Sequence, residues 1–242
     1  MYIFQERLVF KATRLDGDYE FLFDQDFDEL NLEMDDGAVL NSLHFKVENP
    51  KGLILYFHGN AGDLSKWGEI VQPFTKYGHE VLVVDYRGYG KSSGRRSKQK
   101  MLKDAETVYA HAASMYDQSK ITVYGRSMGG AFACHVASLF SPGQLILESP
   151  FASVADVART FAWMYPLKYM MRFNFDNTKP ISVVKCPINI FHGTGDYVVP
   201  ISSGRKLSWF NEEAVFTEIP NAGHNDISDY KAYWDGIEEI LD

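Results

Sequence analysis

A single hydroxyl stands between two glycines in the pentapeptide Gly125-Arg126-Ser127-Met128-Gly129. The apolar run before it and the small residues after it predict a strand, a tight turn and a helix that starts at Ser127. Such a turn leaves almost no room for side chains two residues before and two residues after the serine, and it pushes the serine Oγ out above the sheet. Ser127 is therefore the candidate nucleophile, and Gly125 and Gly129 are the residues that let the turn form.

A serine hydroxyl reacts only when a base takes its proton and an acid orients that base. His224, in PNAGHND after the last apolar run, is the candidate base, and Asp196, in HGTGD after the preceding run, is the candidate acid. Their order along the chain, serine then aspartate then histidine, is the order expected for this kind of turn. His192 as the base and Glu148 as the acid stay open as alternatives.

Other acids and histidines have predicted structural roles. Asp226 follows the candidate base and is expected to cap a final helix over residues 227–241. The remaining histidines are expected to be structural or on the surface: His44, His79, His111 and His135.

Attack on a carbonyl group creates a negative oxygen, which two backbone N–H groups must stabilise. Met128, directly after the nucleophile, is expected to supply one of them. Asn60, in the small-residue loop HGNAG after the first apolar run, is expected to supply the other. These two amides form the predicted oxyanion hole.

The elements that position these residues follow from six apolar runs separated by helix-length segments. The runs cover residues 53–59, 80–86, 120–125, 144–149, 188–193 and 214–219. Continuous apolar runs of this kind predict a mostly parallel sheet with helices on both faces, whose ligands bind at the carboxyl ends of the strands. Two alternating runs around DDG predict an opening β-hairpin. We expect one α/β domain over residues 1–242.

Residues 151–180 interrupt this rhythm, since they are longer than one crossover helix and Pro166 breaks any single helix through them. We expect a small helical cap over Ser127. Its aromatic and methionine side chains either line an acyl pocket or simply face the sheet, and both interpretations stay open. The pocket candidates are Phe161, Trp163, Met164, Tyr165, Met170 and Met171.

The composition excludes some classes of partner and cofactor. A net charge of −8 argues against a nucleic-acid-binding protein, which normally presents a basic face. Cys134 and Cys186 match neither a disulfide framework nor a metal site, and they fit a reduced cytoplasmic setting. No apolar run reaches the ~18 residues of a membrane-spanning helix. We expect a cytoplasmic monomer without a metal or another cofactor.

The segment RGYGKSSG is not predicted to bind a nucleotide. Asp85 stands where a Walker A loop needs glycine, and Ser93 stands where a dinucleotide loop needs its third glycine. The cations in and after this segment are expected to form a solvated face, with peripheral contact to anionic headgroups or a phosphorylated carrier as the alternative. They are Lys91, Arg95, Arg96, Lys98, Lys100 and Lys103.

The motifs HGNAGD, DYRGYGKSSG, GRSMGG, LESPF, PINIFHGTGD and NAGHND resemble, in order, those of α/β-hydrolases. More narrowly, they resemble small serine hydrolases related to protein depalmitoylases and lysophospholipid lipases, from residue 53 to the C-terminus. The resemblance implies an eight-stranded α/β-hydrolase fold, the triad Ser127–Asp196–His224 and oxyanion donors at Asn60 and Met128. It also implies a small-molecule or lipid-like acyl substrate, an ester or thioester, cleaved through an acyl-enzyme on Ser127.

The resemblance also bears on membrane contact, leaves two rival functional classes open and excludes a third. Many such relatives carry a membrane anchor before a segment resembling FQERLVF, so membrane association is expected if an anchor precedes this sequence. A serine peptidase of the prolyl-peptidase kind would use the same three side chains, and a silent homologue would bind ligands without turnover. Dehalogenases of this fold have aspartate at the position of Ser127, which excludes that branch.

Overall fold

The computed structural model describes residues 10–157 and 173–242, and all structural statements below concern these residues. The strands are β1 (Lys11–Ala12), β2 (Phe27–Glu33), β3 (Val39–Phe45), β4 (Gly52–Phe57), β5 (Ala61–Gly62), β6 (His79–Val84), β7 (Ile121–Arg126), β8 (Gln144–Glu148), β9 (Ile188–Gly193) and β10 (Ala214–Ile219). The α-helices are α1 (Leu64–Val71), α2 (Lys98–Met115), α3 (Gly129–Leu139), α4 (Thr178–Ile181), α5 (Ile201–Ser208) and α6 (Lys231–Leu241).

Eight of these strands form one sheet in the order β10-β9-β8-β7-β4-β6-β3-β2. The neighbours from β10 to β6 are parallel, whereas β3 runs antiparallel to both β6 and β2. The chain places β6 on one side of β4 and β7 on the other, so the direction of winding changes at β4. Crevices at the carboxyl ends of strands open at such a switch point, and there the loops after β4 and β7 meet.

The two faces of the sheet are both covered. On β4, Leu53, Leu55 and Phe57 join the cluster of α2 and α3, whereas Ile54 and Tyr56 join the cluster of α1 and α6. Every residue of β4 is buried because alternate side chains serve opposite faces. This double burial explains the continuous apolar runs and confirms the predicted, mostly parallel sheet with helices on both faces.

Several boundaries differ from the sequence expectation. The predicted hairpin forms from β2 and β3, and two predicted strands, β9 and β10, have the expected bounds. The final helix predicted over residues 227–241 is present, but α6 begins at Lys231 because a 3-10 turn (Ile227–Asp229) precedes it. Asp226 caps neither of them, since its Oδ1 accepts the Gly223 N–H at 2.6 Å.

The predicted single domain with a cap over residues 151–180 stays a prediction, because much of that insertion lies outside the described residues. Within the described residues, no helix combines the length and the apolar character that a bilayer crossing requires.

The basic segment is solvated in part, as predicted: Arg95, Lys100 and Lys103 are exposed, whereas Lys91, Arg96 and Lys98 are half-buried. Lys91 pairs with Glu29, Lys100 pairs with Asp36, and Lys103 pairs with Glu106 within its own helix. Lys98 donates to the backbone carbonyl oxygen of Asn174, and Arg96 donates to that of Arg87. Most of this charge is therefore engaged within the protein, because acidic and carbonyl groups of neighbouring elements face it.

Candidate active site

Ser127 occupies a strained turn between β7 and α3. Its φ is +51°, a left-handed conformation that costs a residue with a Cβ on the order of 1–2 kcal/mol. Its N–H donates to the carbonyl oxygen of Glu148 at 2.8 Å, which ties the turn to the end of β8. The helix begins at Gly129 and not at Ser127 as predicted, because Ser127 itself makes the turn.

The two glycines of the turn are required by close packing. A Cβ at Gly129 would overlap the carbonyl oxygen of Phe57, and a Cβ at Gly125 would lie 2.6 Å from the Cβ of Ala133. Gly130 is different, because the nearest atoms to a Cβ there are 3.6 Å away. The requirement for glycine therefore belongs to positions 125 and 129.

The structure brings together three residues that the sequence singled out. His224 Nδ1 lies 2.7 Å from Asp196 Oδ2, and His224 Nε2 lies 3.0 Å from Ser127 Oγ. A carboxylate only accepts hydrogen bonds, so Nδ1 carries the imidazole proton and Nε2 is free to accept the serine proton. These distances permit proton transfer from the serine hydroxyl to the imidazole.

The loop after β9 holds the carboxylate of Asp196 in its ionised form. Its Oδ1 accepts the N–H groups of Val198 and Val199 at 2.9 and 2.8 Å. Burial of the carboxyl group opposes ionisation, but hydrogen bonds from His192 and His224 outweigh burial and hold the pKa of Asp196 well below its ordinary range. Asp196 therefore stays an acceptor for His224 throughout the neutral range.

The alternative base and acid occupy other positions. The fully buried His192 has its Nε2 2.9 Å from the Val199 carbonyl oxygen and 3.3 Å from Asp196 Oδ2, so it braces the acid. Glu148 lies beneath the nucleophile turn, and its carboxylate is engaged by Arg126 and Tyr124. The structure thus favours neither alternative.

Arg126 and its partners form a buried polar cluster that sequence reasoning missed. Arg126 Nε lies 2.9 Å from Glu148 Oε1, and the two side chains are only 7% and 3% exposed. The hydroxyl of Tyr124 donates to Glu148 Oε2 at 2.6 Å, and Tyr233 from α6 lies 2.7 Å from Tyr124 Oη. No sequence signal marks this cluster, because the position of Arg126 within G-x-S-x-G accepts any residue.

Asn60 and Met128 both face the cavity that contains Ser127. Met128 is the N-cap of α3, where the first N–H groups of a helix have no partners within the helix. Asn60 lies after β4, and the hydroxyl of Tyr89 donates to its carbonyl and side-chain oxygens at 2.8 and 2.9 Å. Their placement beside Ser127 suits the predicted oxyanion role, which stays a proposal.

Two cavities of different character meet at Ser127. The first, the apolar cavity, measures about 220 Å³. Besides Asn60, Ser127 and Met128 it is lined by Phe151, Val154, Val157, Phe175, Val198 and Val199. The six pocket candidates predicted between residues 161 and 171 lie outside the described residues.

The second, the basic cavity, measures about 310 Å³ and also contains His224. Its described lining includes three cations, Lys11, Lys66 and Arg126, and no carboxylate, in a chain whose net charge is −8. Cysteine, histidine and acidic residues form no metal-binding group among the described residues. The Ser127 hydroxyl thus has an apolar space on one side and a cationic space on the other.

A family model described as "Serine aminopeptidase, S33" matches residues 48–182, more than half of the chain. The chain belongs to this Hydrolase_4 family of α/β-hydrolases. The match includes the loop of Asn60 and the turn of Ser127, whereas Asp196 and His224 lie beyond its end.

Two curated relatives and a solved structure agree with this assignment. An uncharacterized protein of Mycobacterium tuberculosis is 32% identical over 218 residues, which cover 87% of this chain and 77% of the relative. The lysophosphatidylserine lipase ABHD12 of Macaca fascicularis is 30% identical over 177 residues, 64% of this chain and 44% of the lipase. The Pyrococcus furiosus esterase Pf2001 has the same fold, with a TM-score of 0.75, 17% identity and 96% coverage of both chains.

Proposed function

We propose that this protein is a serine hydrolase that cleaves carboxylic ester or thioester bonds through an acyl-enzyme on Ser127. The observation that carries the proposal is the continuous chain from Ser127 Oγ through the His224 imidazole to the Asp196 carboxylate, at 3.0 and 2.7 Å. The names of the relatives support hydrolysis of an acyl bond, since one is a lipase and a structural neighbour is an esterase.

In the proposed mechanism, His224 Nε2 takes the proton of Ser127 as Oγ attacks the carbonyl carbon. The amides of Asn60 and Met128 stabilise the negative oxygen, and Asp196 stabilises the imidazolium. The bond to the leaving oxygen or sulfur then breaks, and His224 returns its proton to that atom. Water, deprotonated by His224, attacks the acyl-enzyme, releases the carboxylic acid and restores the serine hydroxyl.

The different character of the two cavities supports a substrate with an apolar half and a polar half. The apolar cavity, walled by valine and phenylalanine side chains, suits an aliphatic acyl chain. The basic cavity beside His224 suits the alcohol or thiol part, because His224 must reach the leaving atom. A lysolipid, whose single acyl chain ends in a polar headgroup, has this division of character.

The same cavities argue against an aminopeptidase, which has to bind a free ammonium group with acidic or carbonyl acceptors. The described lining of the basic cavity contains no carboxylate, and its two lysines, Lys11 and Lys66, would repel such a group, whereas the charge of Arg126 is paired with Glu148. We therefore place ester and thioester hydrolysis ahead of peptide hydrolysis.

A substrate panel tests the proposal. Acyl esters, acyl thioesters, lysolipids and aminoacyl amides are offered to the wild-type protein and to Ser127→Ala, and labelling by a fluorophosphonate is followed by mass spectrometry. We expect hydrolysis of esters or thioesters, a label on Ser127, and a loss on the order of 10⁶-fold in kcat for the variant. Equal turnover by Ser127→Ala would refute the acyl-enzyme, and a wild type that neither turns over nor labels would support a silent ligand-binding protein.

A further inference from the structure

The N-terminal segment runs beside the loop that contains Asn60. Strand β1 pairs in parallel with β5, with Lys11 opposite Ala61 and Ala12 opposite Gly62. The N–H of Thr13 continues this ladder by donating to the carbonyl oxygen of Gly62 at 3.1 Å. The loop after β4 is thus one side of a small two-stranded sheet, and the N-terminal segment is the other side.

Asn60 itself is held from this side as well. The N–H of Lys11 donates to Asn60 Oδ1 at 3.4 Å, at the long end of hydrogen-bond distances. The hydroxyl of Tyr89 approaches the same oxygen at 2.9 Å and the Asn60 carbonyl oxygen at 2.8 Å. These partners outside the loop hold the Asn60 side chain and the peptide group after it, whereas the peptide group that contains the Asn60 N–H has its carbonyl oxygen, that of Gly59, 2.7 Å from His58 Nδ1.

The segment also joins this loop to that of Tyr89. The N–H of Gly90 donates to the Thr13 carbonyl oxygen at 2.8 Å, and the N–H of Leu15 donates to the Gly90 carbonyl oxygen at 3.2 Å. Residues 11–15, here called the N-terminal strap, are therefore hydrogen-bonded to two loops at once.

Burial alone does not explain this arrangement. Phe10, just before the strap, packs against Phe173 with ring centroids 4.7 Å apart and is buried, whereas Lys11 and Thr13 are exposed. Within the strap, the half-buried Ala12 and Leu15 pack at the edges of the two core clusters. The strap is thus anchored at these two side chains and contacts the Asn60 loop mainly through backbone hydrogen bonds.

We propose that the N-terminal strap is a positioning element of the active site, which holds the Asn60 loop in place and thereby keeps the Asn60 amide in the orientation that the oxyanion requires. This inference rests on the proposed function, because the orientation of that amide matters to catalysis only if an oxyanion forms beside it. A preorganised donor stabilises the transition state more than one that must reorient, so loosening the strap lowers kcat and leaves KM nearly unchanged.

The test compares Thr13→Pro, which removes the N–H donated to Gly62, with Thr13→Ala, which keeps it. The preceding residue, Ala12, is already extended, as proline requires of its predecessor. On a neutral ester we expect Thr13→Pro to lower kcat about five- to tenfold and to keep KM within about twofold of wild type. Thr13→Ala should change kcat by less than about twofold. Tyr89→Phe, which removes the hydroxyl that Asn60 accepts, should act in the same direction, with the remote Tyr109→Phe as its control.

Amide hydrogen exchange of residues 60–62 provides a readout that does not need turnover. We expect faster exchange there in Thr13→Pro and Tyr89→Phe and unchanged exchange in β7 and β8. Unchanged loop exchange, or kcat within about twofold of wild type, in Thr13→Pro would overturn the role of the strap. If Thr13→Pro fails to fold, Leu15→Pro, which removes the N–H that the strap donates to Gly90, decides by the same two criteria, with Leu15→Ala as its control. If the wild-type protein hydrolyses no ester, that result counts against the proposed function. The hydrogen-exchange measurement still shows whether the strap restrains the Asn60 loop.

Discussion

Arg126 Nη2 donates a hydrogen bond to the backbone carbonyl oxygen of His224 at 3.3 Å, although 98 residues separate the two in the chain. The residue before the nucleophile thus reaches the loop of the base. Its own position is fixed by the ion pair with Glu148 below it. The distance from Ser127 Oγ to His224 Nε2 therefore depends partly on a buried cation that does not react.

Removal of the Arg126 side chain should lower both the stability of the protein and its kcat, through the loss of different contacts. Arg126→Met leaves Glu148 buried without its partner, so we expect the free energy of unfolding to fall by about 3–5 kcal/mol. We also expect kcat on a neutral ester to fall about tenfold, because the loop of His224 loses a hydrogen bond. Urea denaturation and steady-state kinetics measure the two effects.

The matched control for this prediction is the double variant Arg126→Met/Glu148→Gln. Glutamine keeps an acceptor for the hydroxyl of Tyr124 and removes the unpaired charge, so most of the lost stability should return. The loss in kcat should remain. Full recovery of kcat together with stability would show that Arg126 acts only through the fold.

Asp196 should stabilise the protein in a pH-dependent manner. Its pKa in the folded state lies below the ordinary value of 3.8, so its stabilising contribution is fully present above pH 4 and declines as the pH falls through the lower folded-state pKa. Asp196→Asn should therefore be less stable than wild type at pH 7, with a difference that shrinks below pH 4. Its kcat should fall by about 10³–10⁴ at neutral pH. Urea denaturation from pH 3 to pH 8 tests the stability claim, which a difference independent of pH would contradict.

Adjacent glycines in the nucleophile turn should respond oppositely to alanine. Gly129→Ala places a Cβ onto the Phe57 carbonyl oxygen, so we expect a loss of about 3 kcal/mol or more in the free energy of unfolding. Gly130→Ala meets no atom closer than 3.6 Å and should gain up to about 1 kcal/mol from helix propensity. Thermal and urea denaturation measure both, and equal effects at the two positions would contradict the packing argument.

The basic cavity should favour leaving groups with a negative charge. We expect Lys11→Gln/Lys66→Gln to lower kcat/KM about three- to tenfold for an ester with a sulfonated phenol leaving group and to leave the uncharged phenol ester nearly unchanged. Added salt should reduce the preference of the wild type. Lys231→Gln, which lies outside both cavities, serves as the control variant. Equal losses on both esters would point to a structural effect of the lysines.

Local spacing predicts a large part of this molecule. The nucleophile turn, the order of Ser127, Asp196 and His224, and the apolar runs depend on neighbouring residues, and the structure brings these three side chains together. The start of α3 was predicted two residues early, since the spacing alone does not show that Ser127 adopts a positive φ.

Contacts between distant segments escape prediction from sequence. The buried cluster joins Tyr124 to Tyr233, 109 residues apart, and no periodicity links them. Asp226 was predicted to cap a helix, but its carboxylate accepts the Gly223 N–H because the backbone turns back after β10. Such partners depend on how the loops fold over the edge of the sheet.

The apolar and basic cavities share Asn60, Ser127 and Val198, but other parts of their walls come from different stretches of the chain. Residues 151–157 and 175 line only the first, whereas residues 59–70 and 224–228 supply most of the second. Under the proposed function, acyl-length preference and headgroup preference therefore depend on different loops. A chimera that receives residues 151–180 from a homologue should inherit the donor's chain-length selectivity while retaining the recipient's response to headgroup charge.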